Sequence, residues 1–97
     1  MKRAIFEFLQ GDVRIKLKVI PRKCGWTNRV DEIVLNPKYD ILSTCLHEVI
    51  HCLRGDLVEA EVLKEERRIA ELMTNREWKR LLTIINLKVN HPIRGGY

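Results

Sequence analysis

The stretch NPKYDILSTCLHEVIHCLRG, residues 36–55, decides how this chain is read. Asn36 followed by Pro37 fits an N-cap with proline in the first helical position. Gly55 fits a helix stop. The pattern predicts one helix running to about Arg54. Leu42, Leu46, Val49 and Ile50 make that helix apolar around the middle, which predicts burial. His47, Glu48 and His51 stand among these residues. A buried helix carries three such side chains only if they have partners.

Toward the N-terminus, residues 3–20 are expected to form a β-hairpin. Val13, Ile15, Leu17 and Val19 alternate with Arg14, Lys16 and Lys18, a period of two. Ile5, Phe6 and Phe8 fit a preceding strand, with Gly11-Asp12 as the turn. A loop with Pro21, Gly25, Trp26 and Asn28 follows, and Glu32 to Leu35 reads as a third strand. Beyond Gly55, Asp56 with Glu59 three residues on predicts a capped second helix reaching about Met73. Thr74 with Glu77 repeats the signal for a third helix, whose apolar stripe is Trp78, Leu81, Leu82, Ile85 and Val89. Pro92, Gly95 and Gly96 predict an extended tail over 90–97. The expected fold is a single α+β domain over 1–97: a small antiparallel sheet of about three strands packed on two to three helices.

The chain has 97 residues, of which 45% are hydrophobic, enough for one small core. Charged residues at Glu7, Asp12, Arg14 and Lys16 interrupt the N-terminal region, so neither a signal peptide nor a membrane segment is expected. A cytoplasmic setting with reduced thiols follows. The three cysteines are Cys24, Cys45 and Cys52. Cys45 and Cys52 share a helix face away from the histidines and read as small buried hydrophobes. The formal charge of +5 would suit an acidic or nucleic-acid partner. The basic residues are nevertheless spread along the chain and interleaved with acids, so nucleic acid is the less favoured partner.

His47-Glu48-Val49-Ile50-His51 has the form HExxH. Two histidines four apart on a helix project from one face and can reach one metal ion, with zinc the expected ion. Glu48 sits round the helix from them, where it can reach a water on the metal and act as general base. A catalytic zinc needs a third protein ligand. The candidates on the second helix are Glu59, Glu61, Glu65, Glu66 and Glu71. Taking Val58, Val62, Ile69, Leu72 and Met73 as its buried face puts Glu65 within that face and Glu61 on its edge. Glu66 and Glu59 lie further round and Glu71 points away. Glu59 also has a separate explanation as a first-turn acid. The alternative for Glu61 and Glu65 is a surface salt bridge with Arg68.

HEVIH, a short connection and a helix carrying Glu61 with an acid four residues later resemble the gluzincin metallopeptidases, and in size the chain is similar to the minigluzincins. The resemblance implies a zincin-like minimal catalytic domain that hydrolyses peptide bonds in a peptide or protein substrate. It implies zinc held by His47, His51 and Glu61, with Glu65 orienting His47 from the outer shell. Glutamate stands at 65 where such motifs usually have aspartate. It also implies a latent form in which the segment 90–97 is an inhibitory tail; there His91 could donate a nitrogen to the open zinc position or the tail could lie along the cleft as a mock substrate, the alternative being a frayed terminus with a chance histidine. A second class of function is a non-catalytic, zinc-stabilised basic domain that binds nucleic acid or a protein partner. Glu48 separates the two, since a purely structural site has no use for it.

Overall fold

A computed structural model describes residues 1–90; the tail from 91 onward, with His91, lies outside the described residues. The element order is α1 (Lys2–Leu9), β1 (Arg14–Leu17), β2 (Gly25–Thr27), β3 (Glu32–Leu35), α2 (Ile41–Leu53), α3 (Glu59–Leu72) and α4 (Asn75–Asn90). The fold is α+β, as expected. Among the described residues no helix is long and apolar enough to cross a membrane.

The expected N-terminal hairpin does not form. Residues 2–9 are helical, and Ile5, Phe6 and Leu9 are its buried residues. Their i, i+1, i+4 spacing is one helix face. Only β1 survives from the predicted pair, and its partner is distant in sequence. Ile15 stands beside Ile33 and Leu17 beside Leu35 in a parallel ladder with β3. On the other side of β3, β2 runs antiparallel, with Trp26 beside Val34. The sheet is therefore mixed, in the order β1-β3-β2, rather than antiparallel. As the central strand, β3 buries Ile33, Val34 and Leu35 in succession.

The central helix starts later than the sequence suggested. Asp40 is its N-cap, with Oδ1 accepting from the backbone N–H groups of Leu42 and Ser43. Asn36 does something else. It is buried, and its Nδ2 donates to the carbonyls of Ile20 and Lys23 at 3.1 and 2.9 Å. Its backbone N–H donates to the Cys24 carbonyl. Asn36 thus fastens the loop that leads into β2. The signal at Thr74 holds as a reciprocal capping box: the Glu77 carboxylate accepts from the Thr74 N–H and the Thr74 hydroxyl from the Glu77 N–H.

Helix α2 lies against β2 and β3 on one side and against α1 and α3 on others. Cys45, Leu46, Val49 and Ile50 are fully buried. Its approach to β2 depends on Gly25. A Cβ there would stand 2.5 Å from Thr44 Cγ2 and 2.9 Å from the Val34 carbonyl oxygen. The carbonyl belongs to the central strand and cannot turn aside. Gly25→Ala is therefore expected to destabilise the fold by about 1–3 kcal/mol, the usual cost of overpacking. Denaturant unfolding of the metal-free protein measures this, and an unchanged midpoint would show that β2 does not press on α2.

Candidate metal centre

Helix α2 sets His47 and His51 one turn apart, with ring centroids 4.9 Å apart and planes at 70°. Helix α3 returns antiparallel after the turn at Arg54–Leu57, where the Leu57 N–H donates to the Arg54 carbonyl. That return places Glu59, the first residue of α3, over the second half of α2. Glu59 Oε1 lies 2.5 Å from His47 Nε2, and Glu59 Oε2 lies 3.0 Å from His51 Nε2. One donor atom from each of His47, His51 and Glu59 falls within 4.8 Å of the others, a possible metal-binding triad.

Seven residues further along α3, Glu66 meets His47 from the other side, its Oε1 2.9 Å from Nδ1. A carboxylate at Nδ1 holds the proton there and leaves the Nε2 lone pair for a metal. His51 Nδ1 is buried with no partner among the described residues, so Nε2 is that ring's only engaged nitrogen. The two Nε2 atoms thus converge on one carboxylate. A divalent cation held among these three donors would be met by two nitrogens and an oxygen. The histidine side chains are 16% and 7% exposed, against 63% for Glu59. The imidazoles are fixed by packing, and the carboxylate is the member free to adjust.

The chain matches no protein-family model, no curated protein and no solved structure.

Glu61 and Glu65 are not at this centre. Glu61 Oε1 accepts from the Val58 N–H at 3.1 Å and caps the start of α3. Glu65 Oε2 accepts from Arg68 Nη2 at 2.8 Å, the surface salt bridge that stood as the alternative. The reason is the identity of the packed face. Val58 and Leu72 are 62% and 53% exposed, so they do not belong to it. Without them the packed face runs through Val62, Glu66, Ile69 and Met73, at i, i+4, i+7 and i+11, and the exposed Glu59 continues its line one turn earlier, at the rim. Glu61, Glu65 and Arg68 form a separate stripe. The signal for Glu59 and Glu66 was present in this spacing, beside the fully buried Val62 and Ile69. Glu66→Gln is expected to weaken zinc affinity about 10- to 100-fold, the usual effect of removing an outer-shell carboxylate. Glu65→Gln should leave it unchanged. Titration against a competing chelator measures both, and equal affinities would remove Glu66 from the site.

Glu48 is buried, and it lines a cleft shared with His47, His51 and Glu59. Burial pushes its carboxyl above the ordinary range. The charge of His47 opposes that rise, Glu59 adds to it, and Arg29 and Lys23 oppose it again. The other wall of the cleft is β2, with Gly25, Trp26 and Thr27. A second, less polar cleft on the far side of His47 and Glu59 is lined by Tyr39, Leu63 and Cys24, among others.

The cysteines lie outside the triad. Burial, with smaller contributions from Glu48 and Cys52, pushes the Cys45 thiol up to about 12, which keeps it protonated. Cys52 Sγ lies 3.3 Å from Thr27 Oγ1 and helps join α2 to β2.

Proposed function

We propose that this chain is a zinc-dependent peptidase. The observation that carries the reading is the convergence of two imidazoles and one carboxylate beside Glu48, in a cleft walled by the edge strand β2. Two nitrogens and one oxygen from the protein, with a fourth position left open, are the donor set of a hydrolytic zinc. Calcium and magnesium prefer all-oxygen sites. Zinc bound there would supply Lewis acidity toward a peptide carbonyl and toward water.

The chain's own residues divide the remaining work. Glu66 fixes the proton of His47 on Nδ1. Glu48, whose carboxyl burial pushes above the ordinary range, takes a proton from the attacking water and returns it to the leaving amine. Strand β2 presents the substrate. Cys24 and Asn28 bond through their backbones to Asn36 and Glu32 of the β3 side. By the alternation of an antiparallel ladder, Gly25 and Thr27 then direct their own N–H and C=O groups to the free edge. An extended peptide can add there as a further strand. Strand β3 cannot take this role, because both of its edges are occupied.

Glu59 takes the place that the sequence resemblance gave to Glu61. The test is hydrolysis of a mixed peptide pool by the zinc-loaded protein, read as new amino termini by mass spectrometry. Cleavage should occur with Glu48 and vanish in Glu48→Gln. A pool left intact by the zinc-loaded native chain would overturn the reading in favour of a structural metal.

A further inference from the structure

The cleft carries two cations, Lys23 and Arg29, alongside the carboxyls of Glu48 and Glu59, and neither cation forms an ion pair with an acid of the described residues. Lys23 and Arg29 flank β2, one before it and one after, and both line the cleft with His47, Glu48 and His51. The acids beside that strand are engaged elsewhere. Asp31 pairs with Arg14 at 3.8 Å, and Glu32 pairs with Arg14 and Lys16 at 3.6 and 3.5 Å. Among the described residues neither Lys23 nor Arg29 belongs to an ion pair.

Both are held where they are by their backbones. Arg29 has φ 66°, a left-handed conformation that costs a residue with a side chain. The loop around it enforces that turn. Asn28 Oδ1 accepts from the backbone N–H groups of Val30, Asp31 and Glu32, and the Arg29 N–H donates to Thr27 Oγ1. Backbone strain held in place by its surroundings is characteristic of functional loops. Lys23 is tied at its carbonyl by the buried Asn36. Arg22 provides a comparison, for it has nearly the same φ, 64°, but does not line the cleft.

We propose that the cleft selects acidic peptides, with a substrate carboxylate within a residue or two of the cleaved bond met by Lys23 and Arg29. This rests on the peptidase reading, and it adds the class of substrate. A strand added along β2 runs beside the cleft that Lys23 and Arg29 line at the two ends of that strand. An extended backbone fits that edge, whereas a polynucleotide has no strand-pairing groups to offer it.

The test uses the zinc-loaded full chain and three peptides identical except for Glu, Gln or Lys next to the cleaved bond. Cleavage efficiency, kcat/KM, should fall in the order Glu, Gln, Lys, with about a tenfold gap between Glu and Gln from two exposed charge pairs. The gap should close in the double variant Lys23→Ala/Arg29→Ala and shrink in high salt. It should persist in Arg22→Ala. Equal cleavage of the Glu and Gln peptides would overturn the proposal and leave the peptidase reading intact, as would an equal loss of preference in Arg22→Ala and Arg29→Ala. Fluorescence anisotropy of the same labelled peptides separates the two readings if nothing is cleaved. Tighter binding of the Glu peptide that is lost in the double variant would support cationic selection while removing hydrolysis. Absence of any preference in binding, or binding of a single-stranded oligonucleotide in place of the peptides, would overturn the selection as well.

Discussion

Zinc added to the metal-free protein is expected to raise its melting temperature by about 15 °C or more. Ligand at about a thousand times its dissociation constant stabilises the native state by about 4 kcal/mol. For a domain of this size each kcal/mol moves the midpoint by about 4–8 °C. The two imidazoles are already in place on α2, so little ordering is needed there. What must change is the Glu59 carboxylate, which bridges both Nε2 atoms at 2.5 and 3.0 Å. His47→Ala and His51→Ala should abolish the zinc-dependent rise. Glu59→Gln should remove most of it, because an amide is a far poorer ligand than a carboxylate. Glu61→Gln should keep it in full, since that carboxylate only caps α3. The quantity to compare is the difference with and without zinc in each variant. Each histidine variant also loses stability by opening a cavity, and the difference is blind to that. If Glu61→Gln abolished the rise and Glu59→Gln retained it, the assignment of the third ligand would be reversed.

Glu48→Gln is expected to lower peptide hydrolysis by about 100- to 10,000-fold, the range for loss of a positioned general base. Zinc content should not change, because Glu48 is not among the three converging donors. Stability supplies an independent check. Burial raises the pKa of Glu48 in the folded protein, so the folded state favours the protonated form. The group therefore supports folding most at low pH, below the ordinary carboxylate range. That support is lost as pH rises through the raised folded value. Above it, the ionised group is a liability that a neutral amide of the same shape lacks. Metal-free Glu48→Gln should accordingly be at least as stable as the native chain at neutral pH, with the advantage shrinking in acid. An inactive variant that had also lost zinc or unfolded would point to a structural role for Glu48.

The local features of this chain were legible in its sequence. Two histidines four apart must share a face once α2 forms, whatever surrounds it, and the apolar residues around them required α2 to be central. The strand at Glu32–Leu35 and the capping box of Thr74 and Glu77 were equally plain, since their signals lie within a few residues. The errors fell where a local pattern admits two answers. Ile5, Phe6 and Leu9 fit one face of a helix, yet Phe6 and Phe8 alternate like a strand. What decides is that β3, not the N-terminus, lies beside β1. Gly25 gave no sign of its role until Thr44 and Val34 were seen against it.

The third member of the possible metal-binding triad shows the division most clearly. The sequence determined that α3 carries five acids, Glu59, Glu61, Glu65, Glu66 and Glu71, as candidates to face α2. It could not say which, because Val58 and Leu72 are apolar and pull the inferred face toward Glu61 and Glu65. Only the return of α3 over α2 keeps Glu61 and Glu65 on their own contacts, the Val58 N–H and Arg68, and brings the Glu59 and Glu66 carboxylates to the histidines. Side-chain direction along a helix is fixed by the 3.6-residue repeat, a local property. Which direction is inward is set by the neighbouring helix, and that is a contact between residues far apart in the chain.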